Sequence, residues 1–179
     1  MKKELLLIFI LSFFLVKCNS QIVSSDQLEQ IDFENKIYHL KSSGKPYTGI
    51  VQDTSKRGNL IGTGKLKEGK FVEYWEYQEN EVKGIEWTFL DGKKWNRILY
   101  HPSGKIKSEI NKNDDGSLNF DREWNLNGLL IKETTTKHIK HWHDNGQLKT
   151  ECTKGSSLKV KTKCVSWDEN GNLTDSFEY

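Results

Sequence analysis

The sequence contains no apolar run of a length that crosses a membrane comfortably. The candidate near its start covers residues 5–16, twelve residues, whereas a membrane helix needs about 20. Two lysines precede this run, and Lys17 and Cys18 follow it, which is the arrangement of a secretory signal. We therefore expect residues 1–20 to be a signal peptide and the protein to be exported.

The sequence also lacks an excess of either charge once that segment is removed. Residues 1–17 hold three of the 27 basic residues and one of the 25 acidic residues, which leaves 24 of each. Proteins that bind nucleic acid through its phosphates present a basic surface. We therefore expect no nucleic-acid partner.

Catalytic sequence motifs are missing as well. There is no G-x-S-x-G nucleophile elbow, no glycine-rich phosphate loop and no HExxH helix. The densest group of reactive side chains is His138, His141, His143 and Asp144. On a regular strand only His141 and His143 share a face, so a zinc site there would still need a third ligand. We expect a protein that is not an enzyme and that holds no metal and no cofactor.

Cysteine is scarce, and the first of the three has its own interpretation. The segment Leu15-Val16-Lys17-Cys18 resembles a loose bacterial lipobox, which implies that Cys18 is lipidated and anchors the protein to a membrane. Lys17 stands where a small residue is usual. Cleavage after Ser20 is therefore the alternative, and it would give a periplasmic or secreted protein.

The other two cysteines predict a disulfide. Cys152 and Cys164 flank a polar loop symmetrically, which centres a turn near Leu158 and makes the two cysteines cross-strand partners. An exported compartment permits oxidation. The alternative is a pair of free, buried thiols.

What the sequence has in abundance is a repeated pattern of ten residues. Its copies read YHPSGKIKSE, WNLNGLLIKE, WHDNGQLKTE and WDENGNLTDS. Each has an aromatic residue first, Asn or Ser fourth, Gly fifth and Leu or Ile seventh, and three have Glu tenth. The aromatic, glycine and aliphatic anchors are Tyr100, Gly104, Ile106, Trp124, Gly128, Leu130, Trp142, Gly146, Leu148, Trp167, Gly171 and Leu173.

Each copy predicts a β-hairpin with a three-residue loop. The aromatic and aliphatic anchors pair on one face only if the loop occupies the third to fifth positions, which is a type I turn followed by a G1 bulge. The glycine would then take positive φ, which it does without steric cost. Pro102 fits the turn position that favours a φ near −65°. Glu109, Glu133 and Glu151, three residues after the aliphatic anchor, are expected on the solvent face.

A lone hairpin cannot bury its apolar face, so the copies are expected to stack. Their aromatic anchors are 24, 18 and 25 residues apart, a spacing typical of a linear repeat array. Residues 53–60 match the turn with an insertion, and residues 77–83 match it with Glu81 in place of glycine. We expect an all-β, elongated array of about six stacked antiparallel hairpins over residues 38–179, preceded by a spacer at 21–37.

These residues resemble the bacterial variant of the MORN repeat. The aromatic-x-x-Asn-Gly-x-Leu-x-x-Glu pattern matches the family signature, and the segment GKPYTG is similar to the family's usual opening. The resemblance covers roughly residues 38–179. It implies an antitoxin-like protein, since members are often labelled in that way.

The expected function is that of a non-enzymatic, envelope-located interaction module whose partner is another protein. One alternative is an immunity or antitoxin-like protein that neutralises a toxin, which rests on the family resemblance. A further alternative is a glycan-binding or metal-dependent envelope protein. It would use the tryptophan-rich sheet or His141 and His143.

Overall fold

The computed structural model describes residues 21–32, 36–78, 82–155 and 162–178. These residues form sixteen β-strands and a single 3-10 turn at Ser25–Gln27. No helix in the described ranges has the length and hydropathy needed to cross a membrane. The predicted signal segment with Cys18, and the turn position Glu81, lie outside the described residues. The prediction of an all-β hairpin array is confirmed.

Thirteen of the strands form one sheet, and the other three form a small second sheet. From β5 to β16 every strand pairs antiparallel with the next one in the chain, and β1 pairs parallel with β5. The small sheet has the order β2-β3-β4. The strands are β1 (Ile22–Ser24), β2 (Leu28–Asp32), β3 (Ile37–Leu40), β4 (Lys45–Pro46), β5 (Gly49–Thr54), β6 (Leu60–Lys67), β7 (Lys70–Tyr77), β8 (Lys83–Leu90), β9 (Lys93–Tyr100), β10 (Ile106–Lys112), β11 (Leu118–Trp124), β12 (Leu130–Thr135), β13 (His138–Trp142), β14 (Leu148–Thr153), β15 (Lys163–Trp167) and β16 (Leu173–Glu178).

The segment expected as a spacer is part of the fold. β1 lies beside β5, with Val23 opposite Val51, and β2 pairs with β3. The spacer prediction for residues 21–37 is therefore corrected. The short polar segments gave no local pattern, because β1 is held by a partner 28 residues further along the chain, as Ile22 lies opposite Ile50.

The apolar core lies where the small sheet packs on the start of the large one. Val23, Tyr47, Val51 and Leu66 are at most 4% exposed, and Leu28, Tyr38, Leu40 and Phe71 pack against them. The Tyr47 hydroxyl donates hydrogen bonds to the Gln21 and Ile50 carbonyls, which fastens the first residues to β5. Burial at this end therefore joins both sheets.

The repeat anchors pair as mirror partners across each turn. Tyr100 is opposite Ile106, and the same register joins the aromatic and aliphatic anchors of the other three copies. Thr54 and Leu60 take these positions in β5 and β6, with Gly58 in the turn, so this copy contains no insertion. The φ angles of the four anchor glycines lie between 80° and 87°, which is the left-handed region that favours glycine.

A second irregularity follows each turn and was not foreseen. One extra residue sits directly after the aliphatic anchor, so that Trp124 pairs with Leu130 while Glu123 pairs with Lys132. A bulge of this kind changes which face the following residues occupy. In the six hairpins predicted from the sequence, the extra residues are Ile61, Gly84, Lys107, Ile131, Lys149 and Thr174. Three further hairpins have an extra residue as well: Val72, Trp95 and Asn119.

This bulge corrects the expected orientation of the repeated glutamates. Glu133 lies opposite Arg122, which shares a face with Trp124 because the two are two residues apart on one strand. The side chain of Glu133 is only 15% exposed. The glutamates therefore lie on the face that carries the aromatic anchors, called the anchor face below. The opposite face is called the groove face.

Candidate interaction surfaces

A line of alternating charge crosses the anchor face. The register places Glu109, Arg122, Glu133, Lys140 and Glu151 side by side on five consecutive strands. Directly opposite cross-strand pairs of unlike charge stabilise a sheet by roughly 0.2–1 kcal/mol each. We call these five residues the charge ladder. Each repeated glutamate of the ladder therefore lies opposite a basic residue on an adjacent strand.

Glu133 is more enclosed than Glu151, with side chains 15% and 35% exposed. Its two oxygen atoms accept hydrogen bonds from Arg122 Nε at 2.6 Å and from His138 Nε2 at 2.9 Å. These contacts, with His138 contributing most, lower the pKa of Glu133 against the opposing effect of burial. Lys140 and Glu151 form a further ion pair at 3.1 Å. The ladder therefore continues across the middle of the described array.

Aromatic side chains on the same face join neighbouring hairpins. The Tyr100 hydroxyl donates to Glu86 at 2.8 Å, and burial together with this carboxylate raises the pKa of Tyr100 to about 12. Lys83 bonds the same Glu86 and lies 5.0 Å from the ring centre of Trp75. The anchor face is thus a band of ion pairs and partly exposed rings.

The hairpin turns of the repeats line one edge and contact each other directly. His101 Nε2 donates to the Trp124 carbonyl at 3.1 Å, and His143 Nε2 donates to the Trp167 carbonyl at 2.9 Å. Each histidine follows the aromatic anchor of its own copy and reaches the anchor of the next one. Asn125 instead accepts two hydrogen bonds from its own turn. The edge therefore fixes the spacing between hairpins.

The histidine cluster of the sequence is dispersed by the fold. His138 faces the charge ladder, while His143 starts a turn and binds the carbonyl of the next hairpin. His141 lies opposite Lys132 and Thr150 on the groove face. Across the described residues no group of three or more His, Cys, Asp or Glu side chains is arranged to hold a metal ion.

The two cysteines lie in register on the groove face. Cys152 and Cys164 are directly opposite each other in β14 and β15, with Cα atoms 4.0 Å apart, and the structure joins them in a disulfide. Cys164 is 1% exposed. The loop between them, including the predicted turn at Leu158, lies outside the described residues.

A groove of about 970 Å³ opens on the groove face where the small sheet meets the large one. Its floor is aromatic: the ring centre of Phe71 lies 5.2 Å from Tyr38, 5.7 Å from Tyr74 and 5.8 Å from Phe89. Five lysines line it together with two aspartates, and we call it the lysine groove. These charged residues are Lys36, Lys70, Lys93, Lys94, Lys112, Asp53 and Asp91.

Some of these charges are already engaged with the protein itself. Lys70 pairs with Asp91 at 2.5 Å, which lowers the pKa of Asp91. Lys94 lies 3.8 Å from the ring centre of Trp87. The Tyr74 hydroxyl donates to Asp53 at 3.3 Å, and burial, reinforced by Asp53, raises the pKa of Tyr74 to about 12.

The lysine groove was missed in the sequence because its residues are scattered. They come from β2, β3, β5, β7, β8, β9, β10 and the turns beside them, and none of them is an anchor of the four copies read from the sequence. The only available signal was local: Lys93 and Lys94 are adjacent in a chain with balanced charge. A second depression of about 720 Å³, lined by Arg97, Leu99 and Ile110, lies further along the same face.

Comparison with known proteins leaves the family undetermined. No family profile matches the chain. It is similar to a component of eukaryotic translation initiation factor 3 from Dictyostelium discoideum, with 26% identity over 113 residues. That alignment covers 63% of this chain and 17% of the relative, so the chain spans about a sixth of the relative's length.

Among solved structures, the chain is similar to two crystal structures of TarM. A mutant of S. aureus TarM in complex with Fondaparinux, alpha-GlcNAc-glycerol and UDP has 14% identity and a TM-score of 0.36, with 62% of this chain and 20% of TarM covered. A second TarM structure has 14% identity and a TM-score of 0.34, with 61% and 19% covered. Likeness at this level carries no argument about function.

Proposed function

We propose that this protein is a non-enzymatic interaction module of the cell envelope, and that its long sheet binds another protein. One observation supports this most: in the described part of the chain from β8 onward, each strand pairs with its sequence neighbours in one sheet, and most residues on both faces are partly exposed. Stacked repeats of this kind offer a broad binding surface. The anchor face adds partly exposed aromatic side chains and Arg122, which are residue types enriched at protein interfaces.

The envelope location rests on the sequence of residues 1–20. A basic start, a short apolar run and Cys18 two residues after that run support export with lipid attachment. The cysteine pair of the repeat region suits an oxidising compartment. Replacing Cys18→Ser should move the protein from the membrane fraction to the soluble fraction. Unchanged fractionation would reject lipidation and leave cleavage after Ser20.

The partner can be sought with photo-crosslinking side chains placed on the two faces. Two exposed residues are suitable: Thr153, which shares the anchor face with Glu151, and Asp175, which lies beside Ser166 and Thr150 on the groove face. We expect one envelope protein to be crosslinked, and its purified form to bind this protein stoichiometrically and reversibly. Charge reversal at Arg122 should weaken that binding if the anchor face is used. Turnover of a substrate that is lost on replacing a few clustered residues, with the fold intact, would overturn the proposal.

An immunity or antitoxin-like role is the second candidate. It is supported by the resemblance of the repeat copies to MORN proteins that carry the antitoxin-like label. A toxin would then be the bound partner, arriving in the envelope. The test is co-expression with a toxic product of a neighbouring gene. Suppression of lethality would favour this role, whereas unchanged lethality would leave the general interaction module.

A further inference from the structure

The lysine groove combines an excess of positive charge with an aromatic floor. We infer that it binds an acidic peptide segment of a partner protein, one that carries an apolar side chain beside its carboxylates. This inference rests on the proposed function and names the part of the partner that the groove would hold. Its volume of about 970 Å³ lies in the range typical of ligand sites, roughly 300–1,000 Å³.

The charge of the groove is unusual for this chain. Five lysines face two aspartates there, although the chain beyond residue 17 holds equal numbers of basic and acidic residues. Among the ion pairs between described residues, none involves Lys36, Lys93 or Lys112. These three lysines can therefore receive carboxylates without breaking a contact of that kind.

The aromatic floor favours an inserted side chain over a stacked ring. Phe71 meets Tyr38 and Tyr74 edge to face, at interplanar angles of 74° and 80°. Rings in this arrangement present ridges and recesses, whereas a sugar or a base stacks best on a flat, open ring face. An aliphatic or aromatic side chain fits between such ridges and gains from leaving water.

The two aspartates disfavour the binding of polyanions whose negative charges are closely spaced. Asp53 and Asp91 stand among the lysines and would repel closely spaced phosphates or sulfates. Isolated carboxylates can avoid them. The backbone N–H groups of an extended peptide can donate hydrogen bonds to their oxygen atoms. The mixture of charges therefore fits a peptide better than a nucleic acid or a sulfated glycan.

The test measures binding of a fluorescein-labelled hexapeptide, Asp-Glu-Phe-Asp-Glu-Leu, to the full chain by fluorescence anisotropy. We expect saturable binding that weakens with added salt, because exposed charges are screened over about 10 Å at 0.1 M salt. Lys93→Glu combined with Lys112→Glu should weaken binding by about tenfold or more. The matched control is Lys137→Glu with Lys149→Glu, two exposed lysines outside the groove, and it should change binding by less than about twofold.

Three results would overturn the inference. One is equal binding of a peptide with Asn and Gln in place of the acidic residues, and another is equal weakening by both double variants. The third is binding of an oligouronate but not of the acidic peptide, which would assign the groove to a glycan. Circular dichroism of each variant verifies the fold. If the groove variant still binds the crosslinked envelope partner normally, the interaction module stands and the groove is excluded as its site.

Discussion

The two ends of the array are built on different principles. At the first end, two sheets enclose Val23, Tyr47, Val51 and Leu66, all at most 4% exposed. From β8 onward the described part of the chain buries only His101 and Cys164 to a similar degree. One end therefore depends on apolar burial, and the other on contacts between adjacent strands.

This contrast between the two ends shows which contacts keep the strands of a single sheet in register where little apolar surface is buried. Ion pairs of the charge ladder, turn-to-turn hydrogen bonds from His101 and His143, and the Cys152–Cys164 disulfide each join neighbouring strands. Such contacts specify which strands pair and in which register. The core at the first end gives the array a fixed end from which the repeats extend.

Removing apolar volume should affect the first end most. Leu66→Ala, at a site 2% exposed, is expected to lower the free energy of unfolding by about 4 kcal/mol through lost burial and a residual cavity. Leu130→Ala, at a partly exposed anchor, should cost about 1–2 kcal/mol. Guanidinium unfolding monitored by tryptophan fluorescence provides both values. Equal losses would show that the repeats carry a core of their own.

Reducing the disulfide should affect the opposite end. Its cysteines are 12 residues apart, and a loop of this size is expected to stabilise the fold by about 3 kcal/mol. Amide hydrogen exchange should speed up in β14 and β15 after reduction, while β5 to β7 remain protected. Peptide mapping without reduction should recover Cys152 joined to Cys164. Two separate thiols would contradict the prediction.

Alanine substitutions at Gly69 and Gly146 distinguish the cost of backbone strain from the cost of a steric clash, because the two glycines have similar φ angles. Gly69 has φ 80° and Gly146 has φ 85°, so alanine meets comparable backbone strain at both, about 1 kcal/mol. A Cβ at Gly69 would lie 2.8 Å from the Tyr38 carbonyl oxygen. A Cβ at Gly146 would have no atom within 4 Å, apart from its own chain neighbours. Gly69→Ala should therefore cost about 2 kcal/mol more than Gly146→Ala in thermal unfolding. Equal costs would show that the small sheet shifts away from the new Cβ without a loss of stability.

The charge ladder should give the smallest effect, and one that depends on pH. Glu133→Gln is expected to cost about 1 kcal/mol at neutral pH, since its partners are partly exposed. The folded state lowers the pKa of Glu133. Its contribution is therefore complete above the unfolded pKa of about 4.3 and is lost as pH falls through the lower folded value. Wild type and variant should converge in acid, and the exposed Glu169→Gln should match wild type throughout.

The sequence was informative wherever the determining contacts were local. Trp124 and Leu130 flank one turn and Gly128 lies in it, so their spacing alone predicts the hairpin and its loop. The extra residue at Ile131 leaves no recognisable signal, because its position can hold Ile, Lys, Gly or Thr. The glutamates were consequently assigned to the wrong face.

Contacts between distant segments were beyond the reach of the sequence pattern. The pairing of Ile22 with Ile50 joins segments 28 residues apart, and neither segment repeats elsewhere in the chain. The lysine groove has the same origin, since Lys36 and Lys112 meet only after both sheets have formed. The repeated sequence pattern therefore predicts the hairpin array. It does not predict the first end of the array, where the sequence departs from the repeat and where the lysine groove lies.

The order of the strands also determines how the protein responds to tension. Interstrand hydrogen bonds run perpendicular to antiparallel strands, so in the unbroken run from β5 to β16 they lie along the line that joins the two ends of the array. A pull between those ends loads one strand pair at a time and detaches hairpins in sequence, beginning where fewest side chains are buried. The Cys152–Cys164 bond interrupts this peeling at β14 and β15. We therefore expect the protein to extend stepwise under force, with β14 and β15 kept together by the disulfide and the packed core at the first end detaching last.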